Sequence, residues 1–413
     1  MNIAMITPWP GDKSGIADCA YATADALIRN TPCRIAVYTA NETPKSLPGV
    51  VIKPIDLIRD EHQTYDLVLM HLGNNPYHDG YIDILKEIDC VVHIHDMVLH
   101  HLYAGETHGS GQINRYIDEF SKWYGDEPGQ MVRALLTKGI GVWDTDIVID
   151  CPMFEPYLQH SLGCLITSSF VERRISRTFP DIPIKKVSLI NQTEKSVSAC
   201  TENASSTHPT QDINVGVFGF ITRNKLVDVV LQAVKGLAPQ FDNFKLHIVG
   251  GVEIDCVHLM KWVEKNDLVD VVQFYGRVDN NRWMELLGSM DLIISLRHPT
   301  MGETSGVVTD ALSLNIPVVV NDTGSYRELP FVKRLPIENI HTTLSDYLET
   351  VFRVPEELAT IKANLCKMNS LCDTAFKAKT YFKALLELAD HMAQDSGRKE
   401  RCKTATTSIK AER

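Results

Sequence analysis

A chain of 413 residues is too long for one ordinary hydrophobic core, so two domains are expected. Hydrophobic residues make up 44% and charged residues 23%, the balance of a soluble globular protein. A formal net charge of -11 argues against nucleic acid or anionic lipid as a general partner, while a phosphorylated small molecule needs only a local cluster of donors.

The N-terminus, Met1 to Thr7, is one short apolar run without a basic flank, so it reads as a first strand and not a signal peptide. No apolar stretch reaches the ~18 residues of a membrane span. A membrane-surface substrate, and with it peripheral membrane contact, stays open. The ten cysteines contain no C-x-x-C pair, which reads as reduced thiols in a cytoplasmic protein.

After the strand at Asn2–Thr7, a loop passes Pro8, Pro10 and Gly11, and Ser14 caps a helix from about Gly15 to Ile28. Apolar runs follow at Arg34–Tyr38, Leu67–Leu72, Cys90–His95, Gly163–Ser168 and Lys185–Ile190. Helical patterns lie at Tyr81–Ile88 and Phe170–Arg177, and Ile113–Lys138 reads as a helical insertion. The stretch SVSACTENASSTHPTQD has no periodic apolar residues and reads as a linker, placed at 196–212.

Beyond it the alternation is more regular. Strands are predicted at Ile213–Gly219, Lys245–Val249, Val271–Tyr275, Leu292–Leu296 and Pro317–Val320. Helices are predicted between them at Leu226–Leu237, Val257–Lys265, Asn281–Ser289 and Gly306–Leu314. Such alternation implies parallel βαβ units, hence an α/β fold of two Rossmann-like domains facing a cleft. The expected division is 1–195, the linker, 213–373, a helix over 374–394 and a disordered tail over 395–413.

Chemistry concentrates in four segments. In SLRHPTMGETSGVVTDALSLNIPVVVNDTGSYRELP, Ser295 to Pro330, a strand ends at Leu296 and a helix opens near Thr304–Gly306. Its first turn offers unpaired amides and the positive end of a helix dipole, which suits a diphosphate. Glu303 could accept from sugar hydroxyls, and Asp310, farther along the helix, from a ribose. On spacing alone an ordinary strand–loop–helix unit fits equally well.

The second segment, Gly219 to Lys225, places Arg223 and Lys225 at a helix start, where a cation is misplaced unless an anion sits there. The third, Pro8 to Asp18, carries Ser14 and Gly15 at another helix start. The fourth is rich in histidine: His71 to His78 ends one strand, and His93-Ile94-His95-Asp96 the next, with His100 and His101 on the following helix.

These residues resemble a known family. The 295–330 segment is similar to the donor-site motif of retaining GT-B glycosyltransferases, glycosyltransferase family 4 (group 1), in a bacterial subgroup reading R-x-P-T-x-G-E-T-S-G. Arg297, Pro299, Thr300, Gly302, Glu303, Thr304, Ser305 and Gly306 carry that match, and Pro317, Asp322, Gly324, Glu328, Leu329 and Pro330 continue it. The histidine segments resemble H-x-G-N-N-x-x-H and H-D-x-x-L-H-H of the same subgroup.

The resemblance implies a retaining hexosyltransferase using a UDP- or GDP-sugar as co-substrate, with no required cofactor. It gives Glu303 to the donor sugar, Lys225 to the diphosphate and His95 to the sugar near the reacting carbon. Gly15, Ser14, Arg223, Arg297, Thr304, Ser305, Gly306 and Asp310 are implied at the donor, and Asn74, His78 and Asp96 at acceptor or sugar. The acceptor would be a glycan, a lipid-linked molecule or a small molecule, in glycan or polysaccharide biosynthesis.

This chain departs from the family where Glu303 and Asp310 are separated by six residues, against two glutamates separated by seven, and where Phe220 replaces a frequent Arg. The rival is therefore a glycosyltransferase-like binding or scaffold protein without activity. A metal held by the histidines is a further alternative, but no nearby Cys or second carboxylate completes a set, so no metal is expected. Asp144-Thr145-Asp146 mimics a metal-binding D-x-D and reads as a turn.

Overall fold

The computed structural model describes residues 1–108, 111–190, 212–367 and 373–411. The expected linker, 196–212, lies outside these residues except for Asp212. The chain divides into two compact units, each an α/β layer structure with one parallel sheet.

The first unit comprises Met1–Gln192, Met301–Thr304 and Thr374–Arg413. Its sheet holds seven strands: β1 (Asn2–Ile6), β2 (Arg34–Thr39), β3 (Val50–Pro54), β4 (Leu67–Leu72), β5 (Val91–Ile94), β6 (Gly163–Ile166) and β7 (Ile184–Lys186). They run parallel in the order β3-β2-β1-β4-β5-β6-β7. Period-2 alternation divides the strands between two cores. Ala4, Ile6, Val68 and Met70 face one, and Ile3, Met5, Leu67 and Leu69 the other. The second core is closed by the helix Gly15–Asn30 and by Ala378, Tyr381, Leu385 and Leu388 of the C-terminal helix.

Two sequence expectations change here. The C-terminal helix runs Thr374–Ala411, so residues expected as a disordered tail continue as helix to Ala411. Residues 398–403, RKERCK, are mostly good helix formers, and a helix already nucleated on a buried face propagates through them at little cost. The predicted insertion is two helices, Ile113–Tyr124 and Asp126–Thr137, that bury Tyr116, Ile117, Phe120 and Val132 in the first core. It is an integral wall, because its apolar stripe is too wide to leave in water.

The second unit comprises Thr193–Thr300 and Ser305–Asp373. Its strands are β8 (Ile213–Phe218), β9 (Phe244–Val249), β10 (Val272–Gly276), β11 (Leu292–Ser295), β12 (Val318–Asn321) and β13 (Lys333–Leu335). They run parallel in the order β10-β9-β8-β11-β12-β13. The short β3 and β13 carry too weak a pattern to be predicted, whereas the helix Ile340–Arg353 is missed although Ile340, Leu344, Tyr347, Leu348, Val351 and Phe352 recur at helical spacing and are buried.

The end of β8 is packed tightly. Gly250 has φ +141°, and a Cβ there would stand 2.1 Å from the Gly219 carbonyl oxygen. Gly250→Ala is expected to destabilise the protein by about 1–3 kcal/mol, through strain at φ and displaced backbone. Gly236, late in the helix Val227–Leu237, has open space around its Cβ position. Gly236→Ala should instead stabilise by roughly 0.5–1 kcal/mol. Urea denaturation of both variants against the parent checks the pair.

Candidate active site

In each sheet the strand order reverses at one place, between β1 and β4 in the first unit and between β8 and β11 in the second. Loops leaving such a point run to opposite faces and open a crevice at the carboxyl ends of the strands, where ligands bind on open parallel sheets. The four segments singled out in the sequence are the loops that follow β1, β4 with β5, β8 and β11.

In the first unit, Ser14 caps the helix Gly15–Asn30, its Oγ accepting from the Ile16 N–H at 3.2 Å. A Cβ at Gly15 would meet no atom within 4 Å, so the helix start has open space beside it.

After β4, the Asn74 side chain works as a cap: Oδ1 accepts from the N–H groups of His101 and Leu102, at 2.8 and 3.1 Å. The Asn74 N–H donates to Asp96 Oδ2 at 2.8 Å, joining the β4 and β5 loops. His78 is fully buried, with Nδ1 3.0 Å from Asn75 Oδ1. His100, at the start of the helix His100–His108, bonds the Tyr116 hydroxyl and the Cys151 carbonyl.

His71, His93 and His95 form a ladder that the sequence did not place together. His71 and His93 are cross-strand partners on β4 and β5, and His95 follows two residues later on the same face. Nε2 of His95 lies 3.0 Å from Nδ1 of His71, and the Tyr381 hydroxyl lies 2.9 Å from Nδ1 of His93. Burial lowers all three pKa values, to about 3 for His95 and well below the usual range for the others. Sequence reading takes in His71 only as the start of a histidine segment and misses Tyr381, because only strand register and the docking of the C-terminal helix bring them here. One ring nitrogen from each of His71, His93 and His95 lies within 4.8 Å of the others, a grouping that could hold a metal ion.

The loop Met301–Thr304 belongs to the first unit. The Met301 carbonyl accepts from the N–H groups of both Met97 and Val98, at 2.8 and 3.0 Å. Gly302 has φ +75°, and a Cβ there would stand 2.5 Å from Met97 Cβ, so a glycine is required. The Glu303 carboxylate accepts from the Met301 N–H at 2.8 Å, and Thr304 Oγ1 lies 2.7 Å from Thr167 Oγ1. Glu303 is thereby tied to the loop that begins at His95.

In the second unit, the helix opens at Gly306 and ends at Ser313, with Ser305 as its cap; Thr304 lies outside its first turn. Asp310 is on this helix, half-buried. Arg297 is buried, its N–H donating to Asn321 Oδ1 at 2.7 Å while Asn321 Nδ2 returns a bond to the Arg297 carbonyl. Lys225 ends a 3-10 turn, Arg223–Lys225, and Leu226 in the left-handed region separates it from the helix at Val227. It thus precedes the helix, which opens at Val227 and not at Leu226 as the sequence suggested.

Lys225 Nζ instead folds back to the Phe218 carbonyl at 3.4 Å. A Cβ at Gly219 would stand 2.3 Å from that nitrogen and 3.9 Å from Val307 Cγ2. The glycine therefore makes room for an ammonium beside the first turn of the helix Gly306–Ser313. A cation and a helix N-terminus together concentrate positive potential, which suits a diphosphate. Arg223 pairs with Asp255 at 3.2 Å, both exposed.

Comparison with known proteins gives a family match to part of the chain and a shared fold. Residues 201–330 match the family model Glycosyl transferases group 1. No curated protein matches the chain. Among solved structures the chain is similar to HepE of Anabaena in complex with UDP and glucose: 14% identity over 94% of this chain and 100% of that one, TM-score 0.60. It is also similar to WaaG, a glycosyltransferase involved in lipopolysaccharide biosynthesis, at 11% identity over 92% and 98% of the two chains, TM-score 0.63. Sucrose-phosphate synthase from Thermosynechococcus elongatus matches at 13% identity over 97% and 100%, TM-score 0.58. At these identities the likeness speaks for the fold, which is GT-B.

The buried histidines give stability a pH dependence of definite sign. Desolvation holds His78 at about 4, and His95 and His100 at about 3. Unfolded, each titrates near the ordinary value of ~6.5. Above that value both states are neutral and these groups add no slope. Between about pH 6.5 and 4 the unfolded chain binds protons that the folded one refuses, so stability falls as pH falls. The melting temperature should decline from pH 7 to pH 5, and His78→Asn should decline less steeply.

Proposed function

We propose that the chain is a retaining glycosyltransferase that moves a hexose-type sugar from a nucleotide-diphosphate donor to a hydroxyl acceptor. The observation that carries the reading is the match of residues 201–330 to the glycosyltransferase group 1 model, a span that holds Lys225, Glu303 and the helix start at Gly306. UDP leads over GDP as the nucleotide, because HepE of the same fold is known in complex with UDP-glucose. The acceptor class is a glycan, a lipid-linked molecule or a small molecule, in glycan or polysaccharide biosynthesis.

Retention without an enzyme nucleophile is front-face attack. The bond from the anomeric carbon to the leaving diphosphate breaks as the acceptor oxygen bonds to the same face. The acceptor proton passes to the departing phosphate oxygen. Lys225 and the amides at Ser305–Gly306 stabilise the charge that develops on that oxygen, with Ser14 and Gly15 offering a second helix start and Arg223 and Arg297 further positive charge. Glu303 orients sugar hydroxyls and Asp310 the ribose, His95 meets the sugar near the reacting carbon, and Asn74, His78 and Asp96 contact acceptor or sugar. No step in this scheme calls for a metal ion.

A thermal-shift screen against UDP, GDP, ADP, TDP and CMP, with and without Mg²⁺, tests the donor class. A ligand at 100 times its Kd adds about 2.7 kcal/mol, a shift of several degrees. Stabilisation by UDP without metal dependence is expected, and no response to any diphosphate would favour the non-catalytic reading. Glu303→Ala and Lys225→Ala should each lower transfer by roughly 100-fold, the scale of removing one preorganised charge-stabilising group. Wild-type turnover in either variant, with the fold intact, would remove that residue from the site.

A further inference from the structure

The histidine ladder holds a hydrogen-bond pattern whose direction can be worked out. His71, His93 and His95 are 0%, 1% and 9% exposed, and burial keeps each neutral near pH 7. A neutral imidazole carries one donor and one acceptor nitrogen. Since His95 Nε2 and His71 Nδ1 are 3.0 Å apart, one of them must donate to the other.

What is left over decides which. His71 Nε2 is buried and has no partner among the described residues. If His71 Nδ1 accepted, the hydrogen of that ring would sit on Nε2, sealed away from any acceptor. If Nδ1–H donates, Nε2 is a bare acceptor, and a buried acceptor without a partner is tolerated more readily than a buried N–H. His95 then accepts at Nε2 and carries its own hydrogen on Nδ1. That nitrogen makes no hydrogen bond among the described residues and belongs to the one ring of the three with surface still exposed.

Support for the His95 ring comes from below. The His93 ring centroid lies 4.1 Å from that of His95 at an interplanar angle of 34°, and Tyr381 of the C-terminal helix bonds His93 Nδ1 at 2.9 Å. The C-terminal helix thus braces the ring that packs against His95.

We propose that His71 is a positioning residue: it donates Nδ1–H to His95 Nε2 and fixes His95 as the Nδ1–H tautomer, a hydrogen-bond donor for a sugar oxygen, with Tyr381 and His93 bracing the ring. The tautomer follows from the ladder alone, whereas the sugar oxygen as its target rests on the glycosyltransferase reading above. The competing use of the ladder is a metal site, which would require His71 and His95 to give up the bond they share or to turn their other nitrogens inward.

The test is two-bond ¹H–¹⁵N correlation on the full chain labelled with ¹⁵N-histidine, with His95→Gln identifying the His95 signals. The expected spectrum has His95 protonated at Nδ1. His71→Leu should move it to a tautomer mixture, His71→Asn should keep it through the amide N–H, and Tyr381→Phe should broaden it. A wild-type His95 protonated at Nε2, an unchanged His95 pattern in His71→Leu, or stoichiometric Zn²⁺ binding abolished in His71→Leu would each overturn the proposal. The wild-type spectrum decides even if His71→Leu does not fold.

In transfer assays, kcat should fall roughly fivefold to tenfold in His71→Leu, the scale of one hydrogen bond, with recovery in His71→Asn. If His95 shows the assigned tautomer but His95→Gln retains full transfer, the catalytic reading of His95 fails while the positioning assignment stands.

Discussion

Parallel pairing is the constraint on which the rest of the structure depends. Two parallel strands cannot be closed by a tight turn, so each returns through a crossover over one face of the sheet. Every loop after a strand therefore gathers at the same end. Both sheets are wholly parallel, and in each the order reverses once, at β1/β4 and at β8/β11. The chemically distinctive loops all leave strands at or beside those two points. Their placement follows from topology before any side chain is considered.

Backbone requirements then fix the side chains. Gly302 is the only residue type that fits against Met97, and the Met301 carbonyl takes two N–H groups from the loop after β5. Glu303 inherits its position from these main-chain contacts and from its own bond to Met301. In the second unit Gly219 does the same for Lys225 by vacating the space its ammonium occupies. Both glycines hold a positive φ as well as leaving room for a neighbour.

The first unit buries polar groups at a cost that a purely structural core would avoid. His71, His78, His93 and His100 are sealed in while His95 keeps some exposed surface, and burial lowers the pKa of each. Among the described residues, His71 and His93 each keep a nitrogen without a partner, a cost of order 1–3 kcal/mol for such a group. An apolar residue at either position would remove that cost. Their presence beside His95 is consistent with a task for the ladder beyond packing.

The sequence by itself determined the α/β class, two parallel-sheet units, most strand and helix positions, and the segments that carry the chemistry. These are local properties: period-2 runs, amphipathic stripes, a capping serine and a long motif from Arg297 to Pro330. Only the tertiary structure decided what depends on contacts distant in the chain. It carried the C-terminal helix back to the first unit, so that Tyr381 meets His93 across 288 residues. It made the predicted insertion a wall of the core and gave Asn74 to capping a helix. It joined His71 to His95, because strand register and helix docking are set by the burial of whole faces and leave no mark in any short stretch of sequence.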